Sequence, residues 1–359
     1  ALSPTTVHAT LIEQSDPRGW LSKTHIPPLM VAAMAGAGER AIKYGGPPMV
    51  SRMLNARAVA QSYPPALDAF HLEYVARADS AADALECELR CDMERWAPNV
   101  DIRVTPPPTA VSCLRRHSLT GSGGLWLTLE HANAERVQVD VRKGPVQSVE
   151  HGVVLLNGLR VHVDTDELDA AQVQALAQKK RTKPQRAALD GPTAQASSDA
   201  QGPAADAEKP AAPAAPPTEA PVPPAPPRMH AALAALGVLR RIHAEQPPDP
   251  TGAPTGWTLV SEKKGLCVRR RMLPDVSPSL AVHRTDKVVQ GVAAEDLLPL
   301  VAYPGARAHW DEQLAACRVL ESYGSGAGVQ LWTTPPSFPF QARSFVVASL
   351  TARAVSYTH

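Results

Sequence analysis

A stretch rich in proline and alanine divides this chain and limits what it can fold into. Residues 191–227 contain 11 prolines and 12 alanines and almost no large apolar side chain. Such a segment cannot bury enough apolar surface to offset the entropy lost on ordering, so we predict a disordered or extended linker here. The folded parts of the chain must therefore lie on either side of it.

Composition excludes several classes of protein. The length of 359 residues allows two or three domains. The 36 basic residues nearly balance the 35 acidic ones, so the net charge of the chain does not favour nucleic acid as a partner. Five cysteines form no paired framework, which fits a reducing cytosol. No apolar run approaches the ~20 residues that a membrane-spanning helix needs.

Sequence motifs for catalysis are missing. The glycine-rich stretches at 121–124 and 324–328 match neither a phosphate-binding loop nor a nucleophile elbow. Cys87 and Cys91 belong to an alternating strand pattern, so they are expected to be buried structural residues. No His or Cys pair has metal-ligand spacing. We therefore predict no catalytic residue, no metal site and no cofactor.

Residues 68–186 are predicted to form a β-rich domain with a C-terminal helix. Apolar and polar side chains alternate strictly from Leu85 to Glu94, which indicates a half-buried strand, and residues 70–74 are its expected partner. Asn157-Gly158 lies between two apolar runs and predicts a hairpin. A helix is expected at 166–181. The pattern favours a small antiparallel sandwich or barrel, of no recognised family.

The N-terminal piece combines a strand and helices. Alternation at 6–13 predicts a strand, and the segment DPRGWL at 16–21 turns into a helix. The apolar positions of that helix recur at helical spacing from Ile26 to Tyr44. Gly45-Gly46-Pro47-Pro48 breaks it, and a second helical stretch is predicted at 49–61.

The C-terminal piece carries the most distinctive order of motifs. A helix at 229–244 precedes a strand led by Trp257, and "VVQGV" at 288–292 leads into a short helix. Arg307-x-x-Trp310-Asp311 follows, and a Pro-rich loop at 333–342 precedes Arg343-Ser344-Phe345.

That order resembles the first half of a START domain, the helix-grip fold that encloses one lipid. The segment DPRGWLSK with the following helix resembles the last strand and lid helix of a second START domain. The resemblance implies an α+β fold class, with truncated START-like helix-grip pieces at 1–61 and 229–353 flanking the β-rich domain. It also suggests that residues 1–60 could dock onto residues 229–353 and supply a strand and a helix. Residues 354–359 have no domain-ending character and are expected to be a non-native tail.

The resemblance implies two sets of residues. Positions that would maintain the family motif are Asp16, Gly19, Trp20, Trp257, Arg307, Trp310, Asp311, Arg343 and Phe345. Positions that would line the lipid cavity or its lid are Ile26, Leu29, Met30, Ala33, Met34, Gln330, Trp332, Phe338, Phe340 and Ser349. Ordinary core packing would produce the same apolar stripe on the helix.

The neutral residues Gln330 and Ser349 restrict the class of lipid that is expected as the ligand. Some sterol-binding members carry a buried acid–base pair at these two positions. Two neutral side chains favour a lipid whose head group is neutral, because they can still hydrogen-bond to it. The family's Arg-Asp-Phe also becomes Arg343-Ser344-Phe345, which removes a carboxylate.

The function implied by the resemblance is non-enzymatic lipid binding or intracellular lipid transfer. The expected ligand is a sterol or an acyl lipid, and the expected location is the cytoplasm with transient contact to membranes. No nucleic-acid partner is expected, and protein partners are not indicated. One alternative is a protein-interaction adaptor with degenerate START-like units. Another is a helix-grip enzyme, which would need a polar acid–base pair inside the tunnel.

Overall fold

The computed structural model describes most of the chain outside the proline-rich segment. The described residues are 5–14, 26–64, 67–77, 84–117, 123–132, 134–144, 152–166, 171–172, 229–245, 256–323, 326–336 and 341–352. Of these, 49% are in strands and 21% in helices.

The described strands form four sheets. The strands are β1 (Thr6–Glu13), β2 (Met49–Leu54), β3 (Ala56–Ser62), β4 (Ala69–Ala76), β5 (Ala84–Cys91), β6 (Val100–Thr105), β7 (Ala110–Arg116), β8 (Gly124–Ala132), β9 (Arg136–Lys143), β10 (Val154–Leu156), β11 (Leu159–Arg160), β12 (Asp164–Thr165), β13 (Thr258–Lys263), β14 (Leu266–Met272), β15 (Ala281–Gln290), β16 (Ala316–Ser322), β17 (Ala327–Thr333) and β18 (Ser344–Leu350). The helices with described bounds are α1 (Ile26–Tyr44), α2 (His230–Ala244), α3 (Ala294–Ala302) and a 3₁₀ helix at Ala306–His309.

The β-rich part is a pair of sheets that share one core. One sheet has the order β2-β5-β8-β7-β12 and the other the order β3-β4-β9-β6-β10-β11. Leu85, Cys87 and Leu89 of β5 point into this core, which confirms the strand predicted from their alternation. The expected partner of β5 is wrong, because β4 lies in the opposite sheet and pairs with β3 and β9. Both strands face the same core, so alternation alone could not distinguish pairing from stacking.

The helix predicted at 49–61 is wrong. The residues form β2 and β3, which are separated by Asn55 with a φ of 56°. β2 pairs with β5, and β3 pairs with β4. These pairings override the weak helical preference of the segment and extend the β-rich part back to residue 49.

The N-terminal strand docks on the C-terminal part of the chain. β1 pairs antiparallel with β15 from Thr6 opposite Gln290 to Glu13 opposite His283. The resulting sheet, β1-β15-β14-β13, has α1 on one face and α2 on the other. This pairing confirms the docking suggested for residues 1–60, for the strand and the first helix.

The fourth sheet, β16-β17-β18, is a meander. β16 and β17, which lie on either side of the glycine-rich stretch at 324–328, pair antiparallel. The Asn157-Gly158 turn between β10 and β11 is confirmed. The helix predicted at 229–244 is also present, as α2.

The predicted fold class, START-like helix-grip pieces, is wrong. A helix-grip fold wraps one curved sheet round one long helix. Here the described strands form four sheets, the longest helix has 19 residues, and strands outnumber helices by more than two to one in residues. The prediction rested on motifs near the two ends of the chain. In the described part of the chain, the largest cluster of buried apolar residues lies instead between the two sheets of the β-rich part.

Several predictions lie outside the described residues. They concern Asp16, Gly19, Trp20, Phe338, Phe340, the linker at 191–227, the tail at 354–359 and most of the helix at 166–181. Within the described part of the chain, no helix combines the length and apolarity needed to cross a membrane.

Candidate functional site

One face of α1 closes over the sheet β1-β15-β14-β13. Ile26, Met30 and Met34 recur at four-residue spacing and are buried. They form one cluster with side chains of β14 and β1, including Val268 and Leu11. Residues four apart lie on one helix face, so this stripe sets how α1 sits on the sheet.

The α1 residues that were predicted to line a cavity lie on two neighbouring stripes of the helix. Leu29 and Ala33 lie on the neighbouring stripe, and Leu29 is 43% exposed. Gly36 continues that stripe and approaches the backbone of Trp310, where an added Cβ would lie 2.9 Å from the carbonyl oxygen. Ile26, Met30 and Met34 therefore face the sheet, whereas Leu29 and Ala33 flank it.

Side chains of β15 alternate between the two helices. Arg284 faces α2, where its Nη1 donates to the Ile242 carbonyl at 2.8 Å and its Nε donates to Asp286 at 2.8 Å. Thr285 pairs with Leu11 and Val268, which both pack beneath α1. Because strand side chains alternate, His283 and Thr285 lie on the α1 side of the sheet.

Two buried polar atoms beneath α1 have no hydrogen-bond partner among the described residues. They are the Thr285 hydroxyl oxygen, in a residue that is 0% exposed, and His283 Nδ1, in a residue that is 6% exposed. A buried polar group without a partner costs about 1–3 kcal/mol. Their residues are two apart on one strand, so their Cα atoms are separated by about 7 Å. We call this pair the His283–Thr285 site.

The His283 imidazole is neutral in these surroundings. Burial lowers its pKa, and the charge of Arg270 on the paired strand lowers it further. Glu13 lies opposite His283 on β1, and Lys287 follows two residues after Thr285 on the same face. The site therefore offers two neutral hydrogen-bonding groups, with the carboxyl group of Glu13 opposite and Lys287 nearby on the same strand.

A second polar group lies on one face of β16-β17-β18. The buried Gln330 donates from Nε2 to the Ser349 hydroxyl at 2.9 Å. Its Oε1 accepts from Trp332 Nε1 at 2.9 Å and from the Cys317 thiol at 3.1 Å. The structure thus brings together the predicted cavity residues Gln330, Trp332 and Ser349. Their hydrogen-bonding groups are directed mainly at one another.

This second group offers no catalytic pair. Burial raises the pKa of the Cys317 thiol, so it is protonated at neutral pH and is a poor nucleophile. Its partner is an amide oxygen rather than a base. Among the described residues, no cluster of three or more His, Cys, Asp or Glu could hold a metal ion.

The other predicted motif residues make packing and ion-pair contacts. Arg307 Nε bonds to Asp311 at 2.5 Å, and its guanidinium lies over the rings of Trp310 and Trp332. Trp310 Nε1 donates to the Leu300 carbonyl at 2.9 Å. These contacts hold the 3₁₀ helix between α3 and the fourth sheet.

The remaining motif residues lie at two other places. Trp257 Nε1 donates to Glu245, and Arg271 stacks on the tryptophan ring. Arg343 and Phe345 are exposed at the start of β18.

The His283–Thr285 site was missed from the sequence. The sequence of β15, AVHRTDKVVQ, is typical of a half-buried strand, and polar residues lie on both of its faces. Only the pairing of β1 with β15 and the position of α1 reveal which of them are buried. Comparison with known proteins gives no independent guide: no family model, curated protein or solved structure matches this chain.

Proposed function

We propose that this chain binds, without catalysis, a lipid or similar apolar molecule that carries one neutral oxygen group. The observation that supports this proposal is the His283–Thr285 site, two unpartnered polar atoms beneath an apolar helix. Native interiors pair nearly all buried polar groups, so such a pair calls for a missing partner. A bound ligand would be that partner.

The chemistry of the two atoms selects the ligand's polar group. A hydroxyl can accept from the Thr285 hydroxyl and donate to His283 Nδ1, and a carbonyl oxygen can accept from both when Nδ1 carries the proton. A charged head would need a buried counter-ion, which costs more to desolvate. A sterol, a fatty alcohol or a neutral glyceride has the required group.

The surroundings suit the apolar part of such a ligand. Met30 and Met34 of α1 pack in the cluster that includes Val268, the strand partner of Thr285, and methionine side chains repack readily around a guest. Each ligand CH₂ removed from water contributes about 0.8 kcal/mol. A ligand beneath α1 would displace contacts of this helix, so binding is expected to move α1 relative to the sheet.

Native mass spectrometry of the full chain tests this proposal. The protein is incubated with a total lipid extract, and bound lipids are identified from the released adduct. We expect one neutral lipid per chain. Thr285→Val should reduce the adduct at least tenfold, because it removes one of the two hydrogen bonds. Thr333→Val is the matched control, since the Thr333 hydroxyl contacts Ser344 in the fourth sheet.

The chemical class of the bound lipid distinguishes a site for a neutral head group from a site for a carboxylate. A fatty acid as the sole adduct would indicate a carboxylate paired with Lys287 and would contradict the neutral head group. A folded protein that carries no lipid from any extract would contradict lipid binding altogether. We further propose a cytoplasmic protein that contacts membranes transiently to exchange its ligand.

A protein-interaction adaptor is the second candidate function. The fourth sheet favours it, because apolar side chains of β18 are exposed, with Phe345 at 48% and Val346 at 69%. Exposed apolar patches are typical of protein contacts. Absence of a lipid adduct together with a stoichiometric protein partner lost in Val346→Asp would favour this function.

A further inference from the structure

The residues that follow β3 in the β-rich part lie against the 3₁₀ helix. The Tyr63 backbone N–H donates to the Pro304 carbonyl at 3.0 Å. Gly305, with a φ of 84°, lies so close that an added Cβ would be 3.0 Å from Pro64 Cα. His309, the last residue of the 3₁₀ helix, stacks on the Tyr63 ring with the ring centroids 4.7 Å apart and 20° between the planes. We call this contact the Tyr63–His309 junction.

Tyr63 is fixed on the side of the β-rich part. Its side chain is fully buried, and its hydroxyl donates to the Asp68 carboxylate and accepts from Trp96 Nε1 at 2.9 Å. The Asp68 carboxylate also lies 2.7 Å from Lys143 Nζ at the end of β9. The Tyr63 ring therefore presents a fixed face to His309, and the nearby carboxylate already has two partners.

One nitrogen of the His309 ring lacks a partner. Nε2 is buried and has no hydrogen-bond partner among the described residues. Three charged groups act on this ring, namely Arg40 of α1, Lys143 of β9 and Asp68. Arg40 Nε is also buried and unpartnered, and its guanidinium lies over the Tyr44 ring. Two cations thus surround His309, together with a single carboxylate that is already paired with Lys143.

These surroundings favour the neutral imidazole in the closed junction. Burial lowers the pKa of His309, and the charge of Arg40 lowers it further, whereas Asp68 and the Tyr63 backbone partly oppose this change. Once the ring is exposed to water, it takes up a proton near the ordinary pKa of 6.5. The open junction therefore binds a proton more readily than the closed one, so acid favours opening.

We propose that the Tyr63–His309 junction is a pH-sensitive contact, closed while the imidazole is neutral and opened by its protonation. A charged His309 would add a third positive charge beside Arg40 and Lys143 and would leave a buried charge at the interface. Opening breaks the stack on Tyr63 and the hydrogen bond to Pro304, and it separates the 3₁₀ helix from the β-rich part. This property is independent of the proposed lipid function.

Amide hydrogen exchange of the full chain, followed by mass spectrometry from about pH 8 to about pH 5, tests the proposal. The rates are corrected for the pH dependence of intrinsic exchange. Peptides from residues 303–311 report on the junction, and β5 reports on the core. Below pH 6.5, the opening constant of residues 303–311 should rise by up to about tenfold per pH unit, the limit for one proton. Protection of β5 should persist.

Two variants attribute the response to His309. His309→Phe keeps an aromatic ring against Tyr63 but cannot bind a proton, so the opening constant should become independent of pH. His162→Gln removes an exposed imidazole and is the matched control, which should keep the full response. A response that persists in His309→Phe would assign it to another group, such as Asp296, whose pKa is raised by burial. That result, equal loss of protection in β5, or no response in the unchanged chain would overturn the proposal.

Nuclear magnetic resonance of the unchanged chain gives a second test that needs no variant. Histidine labelled with ¹³C is titrated, and the His309 signal is assigned through its contact with the Tyr63 ring. The titration midpoint should lie below the ordinary pKa of 6.5, and the Tyr63 ring signals should change with the same midpoint. A midpoint at 6.5, or Tyr63 signals that do not follow His309, would contradict the proposal.

Discussion

Arg90 and Asp296 form a buried ion pair that joins the β-rich part to α3. Nη1 of Arg90 lies 2.6 Å from Oδ1 of Asp296, and the two side chains are 5% and 8% exposed. Asp296 Oδ2 also accepts from the Ala293 backbone N–H at the start of α3. Burial raises the pKa of the Asp296 carboxyl against the opposing effect of Arg90. The pair therefore fixes the contact between the two parts at a substantial desolvation cost.

Removal of one partner should be more harmful than removal of both. Asp296→Ala leaves the Arg90 guanidinium buried without its counter-ion and should reduce the free energy of unfolding by about 3–5 kcal/mol. Arg90→Met combined with Asp296→Asn removes both charges of the pair and should be less destabilised than Asp296→Ala. Urea unfolding of the two variants measures the difference. If the double variant is the weaker, the pair is strongly stabilising in itself.

Two helical glycines should respond oppositely to alanine. Gly36→Ala in α1 places a Cβ 2.9 Å from the Trp310 carbonyl oxygen and should destabilise the protein by about 1–3 kcal/mol. Gly237→Ala in α2 meets nothing within 4 Å and should stabilise by up to about 1 kcal/mol through helix propensity. Thermal unfolding of both variants tests the contact. Stabilisation by both would show that α1 does not press on Trp310.

Acidification should weaken the fold before the carboxylates titrate. Burial lowers the pKa of His131, His283 and His309 below the ordinary value of 6.5, so the unfolded chain binds more protons than the folded chain just below that pH. Stability contributed by the neutral imidazoles is present above pH 6.5 and is lost as the pH falls toward the folded pKa values. The melting temperature should therefore decrease as the pH is lowered from 6.5.

Carboxylates titrate at lower pH, so their effect on stability can be distinguished from that of the histidines. Asp286 and Glu245 have lowered pKa values because arginine contacts outweigh burial, so their contribution is lost only below the ordinary value of 4.5 for glutamate. His283→Leu should make the decline between pH 6.5 and 4.5 shallower. An unchanged slope would show that His283 does not resist protonation.

Local patterns predicted much of the β-rich part. Strict alternation around Cys87 marks a strand because only a period of two places such residues in one core. Asn157-Gly158 predicts its hairpin because both residues tolerate a positive φ. By contrast, residues 49–61 have mixed spacing, and their pairing partners on β4 and β5, from 11 positions away (Gln61 with Leu72) to 41 (Met49 with Arg90), decide that they are strands.

Long-range arrangement could not be derived from such patterns. The pairing of Leu11 with Thr285 joins residues from the two ends of the chain, and only the family resemblance suggested it. The unpartnered atoms of the His283–Thr285 site depend on that pairing and on α1, so no local signal identifies them. Gln330 and Ser349 were placed on one site by the resemblance, but their bond to each other depends on the β17–β18 register.

Comparison of Thr285→Val with the unchanged chain tests the central claim most directly, because it reads stability and ligand binding together. In lipid-free protein, valine removes an unpartnered buried hydroxyl, so the free energy of unfolding should rise by about 1–2 kcal/mol. In the presence of a neutral lipid, the same variant should lose the stabilisation that the ligand gives to the unchanged chain. A less stable variant that still gains the full lipid stabilisation would contradict the account, because the hydroxyl would then serve the fold and not the ligand.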